Sequence, residues 1–258
     1  MYNYLIEIMI FVFGMCIGSF MNVCIYRLPA LKSIVHPRSM CLNCGNFIRF
    51  YDNIPLISYL LLKGRCRDCN THISVRYPLV EIISGFFALC VFIKFGFKLE
   101  GAIYFIFIAS LLVITFIDID HQIIPDVISL PGIPIGFAAS FFLPEITWAD
   151  SITGILAGGG SLLFVAWAYA MIAKKEGMGG GDIKLLAMIG GFIGLRGVLF
   201  TIFTASAVGA LTGVIVMLRT RKGLKLAVPF GPFLSIGAIV YIFFGDRLIA
   251  WYLNLPIY

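Results

Sequence analysis

The chain has 258 residues, of which 60% are hydrophobic and 12% charged, with a formal net charge of +6. A soluble globular domain carries roughly 25% charged residues. One core cannot hide this much apolar surface, which excludes a cytosolic enzyme, a secreted disulfide scaffold, a coiled coil and a disordered chain. A polytopic membrane protein remains.

The first apolar run covers residues 5–26. It has Glu7 near its start, no basic residue before it and Arg27 after it. That pattern predicts a retained transmembrane helix with its N-terminus outside, not a cleaved signal peptide. A polar stretch follows at 27–77, then apolar runs at 79–97, 101–117, 127–143, 151–173, 183–195, 197–218 and 228–253. The expected architecture is therefore all-α and polytopic, with about eight transmembrane helices. The run at 183–195 is short, and Pro131 and Pro134 are expected to break the one at 127–143. Alternation from an outside N-terminus places 27–77, 118–126, 174–182 and 219–227 in the cytoplasm. Those loops and their flanks hold 15 of the 19 Lys and Arg residues, leaving Lys94, Lys98, Arg196 and Arg247 outside. The basic balance is thus a topology signal, and no nucleic-acid groove is expected. Gly-x-x-x-Gly spacings at Gly14/Gly18, Gly154/Gly158, Gly190/Gly194 and Gly209/Gly213 predict close helix packing.

The polar stretch contains two pairs, Cys41-Leu42-Asn43-Cys44 and Cys66-Arg67-Asp68-Cys69. Each CxxC presents two thiolates on one knuckle, and two knuckles complete a tetrahedral site of four sulfurs. The alternative is incidental or disulfide pairing, which a reducing cytosol disfavours. Structural Zn2+ is the expected ligand, in a small zinc-ribbon-like insertion between the first two membrane helices. His36 and His72 lie nearby but are not needed as ligands. Cys16, Cys24 and Cys90 sit in apolar runs, where cysteine is a small hydrophobe.

Only 13 carboxylates occur in the chain. Three fall in Asp118-Ile119-Asp120-His121-Gln122-Ile123-Ile124-Pro125-Asp126, which begins as the 101–117 run ends, and another ends Gly179-Gly180-Gly181-Asp182. Two carboxylates from different helices at one membrane depth can share a proton. One activates water while the other protonates the scissile group, which is chemistry suited to a peptide bond. The glycines let a substrate backbone come close. The same aspartates fit solvated loop residues, or the proton or cation site of a transporter. A transporter would more often show repeated halves and midplane charges, and no repeat is visible here.

These residues carry a resemblance. The chain resembles the type IV prepilin peptidases, polytopic GxGD-type aspartic proteases. The match runs through Gly18-Ser19-Phe20-Met21-Asn22-Val23-Cys24-Ile25-Tyr26-Arg27-Leu28-Pro29 and both CxxC pairs. It continues with Asn53-Ile54-Pro55, Ser58-Tyr59, Arg76-Tyr77-Pro78, Glu81, the Asp118 to Asp126 stretch, and Gly179 to Lys184. Leu42 stands where relatives often carry Pro. The resemblance implies a bacterial inner-membrane enzyme with its active site facing the cytoplasm. It implies cleavage of the basic leader of a prepilin or pseudopilin, after a Gly, followed by methylation of the new N-terminus with S-adenosylmethionine. Asp118 and Asp182 are then the catalytic pair, with Asp120, Asp126, Gly179 and Gly181 in support. Glu81 either serves methyl transfer or pairs with an arginine. The implied domains are a first helix at 1–26, a four-cysteine zinc module at 27–77 and a seven-helix peptidase domain at 78–258. Membrane lipid is the surrounding partner, and no oligomeric state is implied. A leader peptidase without methyl transfer is the alternative reading.

Overall fold

A computed structural model describes residues 2–174, 179–220 and 229–252. Lys175, Arg221, Lys222 and Lys225, assigned above to two cytoplasmic loops, lie outside the described residues. The chain forms two compact units, Met1–Val113 and Ile114–Tyr258. Long elements are helical, and the only β pairing among the described residues is two isolated antiparallel bridges.

In the first unit, α1 (Tyr2–Arg27) packs along α3 (Arg76–Phe95). Small residues make this possible. A Cβ on Gly14 would stand 2.5 Å from Ala88 Cβ, and one on Gly18 2.7 Å from Glu81 Cα. Backbones in such contact leave room for the Ser84 hydroxyl to donate to the Gly14 carbonyl at 2.7 Å. Asn22 Nδ2 donates to the Tyr77 carbonyl at 3.0 Å, fixing the register where both helices leave the apolar layer. Between them lie a 3-10 turn at Phe50–Asn53, the short α2 (Ile57–Leu61) and the two cysteine knuckles.

The helix α4 (Leu99–His121) runs from the first unit into the second. Its end is set by Gln122, whose φ of 55° is left-handed and whose amide caps the Asp118 carbonyl at 2.9 Å. Next come α5 (Asp126–Ala139), α6 (Trp148–Ala173), α7 (Gly180–Thr220) and α8 (Gly231–Tyr252). The first turn of α6 is closed by a capping box between Thr147 and Asp150. α7 is the hub of this unit and packs on α5, α6 and α8. The Gly154/Gly158 and Gly190/Gly194 pairs meet each other across α6 and α7: a Cβ on Gly154 would clash with the Gly190 carbonyl oxygen, and one on Gly190 with Gly154. Ser151 Oγ donates to the Gly191 carbonyl at 2.8 Å in the same seam. Gly213 faces open space, so the fourth spacing is not a packing motif in full.

Two helix expectations are refined. Pro131 and Pro134 lie inside α5 without ending it, and α5 stops at Ala139 instead of near residue 143. The runs at 183–195 and 197–218 form one helical stretch, interrupted at Gly194 with φ 66° and ψ −175°. That positive φ is open to glycine and strained for other residues, so the break sits where the sequence permits it. Among the described residues, five helices are long and apolar enough to cross a membrane: Tyr4–Arg27, Arg76–Phe95, Leu99–His121, Trp148–Ile172 and Gly180–Ile215. Asp126–Ala139 and Gly231–Gly245 are shorter apolar helices. The chain is a multi-pass, all-helical membrane protein.

Candidate active site and metal centre

Asp118 lies in the last turn of α4, on the same face as Leu111 and Ile114, and all three are buried. Asp120 is two residues on, about 200° around the helix, and is exposed. Helical geometry alone thus separates the two acids. Asp118 Oδ2 accepts a hydrogen bond from the Gly231 amide, at the start of α8, at 3.0 Å. A Cβ on Gly231 would stand 2.6 Å from that oxygen and 3.5 Å from Ile124 Cδ1. Ile124, in turn, presses on the glycine run: a Cβ on Gly181 would stand 2.9 Å from Ile124 Cβ. Asp182 follows Gly181 in the first turn of α7, half-buried, and lies within electrostatic reach of Asp118. The structure therefore brings together Asp118, Asp182, Gly181, Ile124 and Gly231.

The other expected supports are placed differently. Asp126 is exposed at the start of α5, and Lys184 Nζ donates to both its oxygens at 2.8 and 2.9 Å. This pair ties the first turn of α5 to the first turn of α7, so it braces the loop that carries Ile124. Gly179 is exposed with open space at its Cβ position, and its carbonyl accepts from the Asp182 amide at 3.3 Å. Gly231 was missed by sequence reasoning. Its signal was Phe230-Gly231-Pro232 at a helix start, where proline is tolerated and a glycine admits a close neighbour. We expect Gly231→Ala to lower peptide-cleaving activity by about 100-fold, the scale of a displaced reacting group. Activity assays on membrane-inserted protein check this, and wild-type rates in Gly231→Ala would show that the carboxylate tolerates the methyl group.

The four cysteines that could hold a metal ion sit on two copies of one turn. In the first, the Cys41 amide donates to the Asn46 carbonyl and the Gly45 amide to the Cys41 carbonyl, both at 2.9 Å. In the second, the Cys66 amide donates to the Thr71 carbonyl at 2.9 Å and the Asn70 amide to the Cys66 carbonyl at 3.0 Å. Gly45 and Asn70 take left-handed φ values of 74° and 57° at equivalent places. Bridges Met40–Phe47 and Arg65–His72 close each turn. Asn46 Nδ2 donates to Asp68 Oδ2 at 3.2 Å, joining the knuckles. Arg67 grips Asp52 through both carboxylate oxygens, at 2.8 and 2.6 Å, which holds Asp52 below the usual carboxylate range.

All four sulfurs lie within 4.8 Å of one another, and Cys41 Sγ is 3.7 Å from Cys69 Sγ. A Zn–S bond of about 2.3 Å gives tetrahedral S···S edges of about 3.8 Å, so the donor set fits such an ion. All four are free thiols. The Thr71 hydroxyl and amide hold the Cys69 thiol down at about 6. Cys44 is favoured as thiolate by the Asn46 amide, yet desolvation and the Cys41 and Cys69 sulfurs push it up to about 11. Thiols crowded in this way release their protons to water when a cation binds. His72 lies in a bridge and His36 is exposed, and neither belongs to the four-ligand cluster.

The profile of the type IV leader peptidase family matches residues 105–214, which include both Asp118 and Asp182. That of the bacterial peptidase A24 N-terminal domain matches residues 12–95. A prepilin leader peptidase/N-methyltransferase of Pseudomonas putida is 35% identical over 93% of this chain and 91% of its own length. The chain belongs to the type IV leader peptidase family. A second protein with that name, from Pseudomonas aeruginosa, is 37% identical over 93% of this chain and 91% of its own length. One from Myxococcus xanthus is 38% identical over 84% of this chain and 65% of its own length. No solved structure matches. Within this family of leader peptidases, the split between the two profiles falls close to the division between the two compact units.

Proposed function

We propose that this enzyme removes the basic leader of type IV prepilins or pseudopilins and then N-methylates the new N-terminal residue with S-adenosylmethionine. The observation that carries the peptidase reading is that Asp118 and Asp182, from separate helices, lie within electrostatic reach of each other, beside the backbone of Gly181 and Gly231. In this reading they are the catalytic pair. The charged carboxylate takes a proton from water, and its protonated partner gives one to the scissile carbonyl oxygen. The Gly231 amide orients Asp118, and the Gly179 to Gly181 backbone lets the substrate strand lie close. Asp120 is a peripheral acid, and Asp126 acts through its ion pair with Lys184. S-adenosylmethionine supplies the methyl group when bound. Zn2+ held by Cys41, Cys44, Cys66 and Cys69 supplies rigidity to a module with little core of its own. Cleavage of a prepilin in detergent, followed by transfer of label from methyl-labelled S-adenosylmethionine, tests both halves. Cleavage without label transfer would reduce the enzyme to a leader peptidase.

The proposed setting is the bacterial inner membrane, with eight spans and the active site on the cytoplasmic side. The proposed division is 1–26 as first span, 27–77 as four-cysteine zinc module and 78–258 as peptidase domain. The asymmetry of basic residues supports this orientation. Reporter fusions at the exposed Lys63 and Glu145 are expected to behave as inside and outside respectively. An inside signal at Glu145 would overturn the eight-span plan.

A further inference from the structure

The short helix α2 is inside out for an element that faces water. At about 100° per residue, Ile57, Leu60 and Leu61 share one arc about 100° wide, and Ser58 and Tyr59 lie on the other side. Ile57, Leu60 and Leu61 are 53%, 64% and 77% exposed, whereas Ser58 is buried and Tyr59 half-buried. The polar groups are directed inward: the Ser58 hydroxyl donates to the Tyr51 carbonyl at 2.9 Å, and the Tyr59 hydroxyl to the Ile73 carbonyl at 3.3 Å. A helix in water turns its apolar arc the other way.

Hydrogen bonds set the depth of this face. The helix α3 has 20 residues. That makes it about 30 Å long, the thickness of a bilayer's hydrocarbon. It needs its whole length to span, so Arg76 marks the edge of the apolar layer. Glu81 is one turn and a half further in, about 7.5 Å past Arg76, and helical side chains lean toward the N-terminus, which brings its carboxylate over the first turn. Its Oε2 accepts from the Leu56 amide at 2.8 Å, so the residue before α2 sits at that edge. After α2, the Ile73 amide donates to the Gly64 carbonyl at 2.8 Å, just ahead of α3. The helix α2 and the turn that follows it are thus held at headgroup level, beside the start of α3. Lys63 and Arg65 flank Gly64, are exposed, and form no ion pair among the described residues.

We propose that α2 and the turn after it anchor the first unit to the bilayer surface. Ile57, Leu60 and Leu61 enter the acyl-chain boundary, and Lys63 and Arg65 meet the phosphates of anionic lipids. Interfacial helices bury an apolar face roughly 5–10 Å into this boundary and keep basic residues beside it. The three apolar side chains leave water without a protein partner, and anionic headgroups attract the basic pair. Cys66 follows Arg65 directly, so the same contact fixes the second cysteine turn against the bilayer. The anchor needs only that α1 and α3 span the membrane, whatever chemistry the enzyme performs.

The test uses full-length wild-type protein in vesicles of phosphatidylcholine and phosphatidylglycerol in equal amounts. A trace of one lipid or the other carries a photoreactive diazirine in its acyl chain close to the glycerol. Adducts are located by peptide mass, with the exposed Phe86 and Ile93 of α3 as the reference for lipid contact. Adducts are expected on peptides containing residues 57–61. The phosphatidylglycerol probe is expected to label them about fivefold more than the phosphatidylcholine probe, the factor for one basic residue near an anionic surface. Lys63→Glu/Arg65→Glu is expected to remove that preference and leave labelling of α3 unchanged. An unlabelled α2 beside a labelled α3 in wild type would overturn the anchor, since α2 would then be covered by protein or stand in water. This arm decides the matter whether or not the variant folds. Equal labelling by both probes in wild type, or a preference that survives the charge reversal, would overturn the headgroup assignment.

Discussion

Asp118→Asn and Asp182→Asn are each expected to lower prepilin cleavage at least about 10³-fold, with no further loss in the double variant. The reasoning is that one water and one proton are handled jointly. Removing either carboxyl leaves the other with no partner to exchange with, so the second deletion has nothing more to remove. Asparagine keeps the size of aspartate, and its oxygen can still accept from the Gly231 amide, so insertion and metal content should be unchanged. Asp120→Asn and Asp126→Asn are expected to retain measurable cleavage. Asp120 is exposed on the opposite side of α4, and Asp126 is occupied by Lys184. A cleavage assay on these variants decides the assignment. Normal cleavage by Asp118→Asn with a dead Asp120→Asn would move the dyad to the other acid. Cleavage by all four would end the aspartic-protease reading.

The parts of this molecule legible in the sequence are those set by local spacing. CxxC places two sulfurs on one turn wherever it occurs, and the repeated turn at Cys41 and Cys66 needs only a left-handed residue after the second cysteine. Asp118 and Asp120 differ in burial because a helix advances about 100° per residue. The Gly154 and Gly190 spacings read as packing surfaces, and they meet. What stayed hidden depends on contacts far apart in the chain. Gly231 approaches Asp118 across 113 residues, and nothing in Phe230-Gly231-Pro232 alone says which side chain it will meet. Glu81 was expected either to serve methyl transfer or to pair with an arginine. Its partners are a backbone amide and Ser19, because Arg27 is held by the loop after α1. The Gly194 break was invisible for another reason. A glycine in an apolar run permits a left-handed residue without requiring one, and the neighbouring Asp150 and Gly154 backbones decide the outcome.

Cys66→Ser/Cys69→Ser is expected to abolish metal binding, from one Zn2+ per chain to none. Serine oxygens are poor substitutes for thiolates toward this ion, and two ligands cannot close a tetrahedral site. The consequences should be unequal for the two activities. Without an ion, the two knuckles are joined by the Asn46–Asp68 hydrogen bond and by contacts to the Cys69 sulfur, and the module buries little apolar surface. Arg67, which holds Asp52 and the 3-10 turn before Leu56, sits inside the second knuckle. Loosening that knuckle therefore releases the backbone that presents the Leu56 amide to Glu81. Asp118, Gly231 and Gly181 make their mutual contacts within the second unit, and none of those contacts involves the knuckles. Methyl transfer should fall by at least about tenfold more than cleavage does. Metal analysis together with parallel cleavage and methyl-transfer assays on one preparation checks the prediction. Zinc retained at one ion per chain would refute the four-cysteine site. Equal loss of both activities with zinc gone would mean that the module supports the aspartate pair as well.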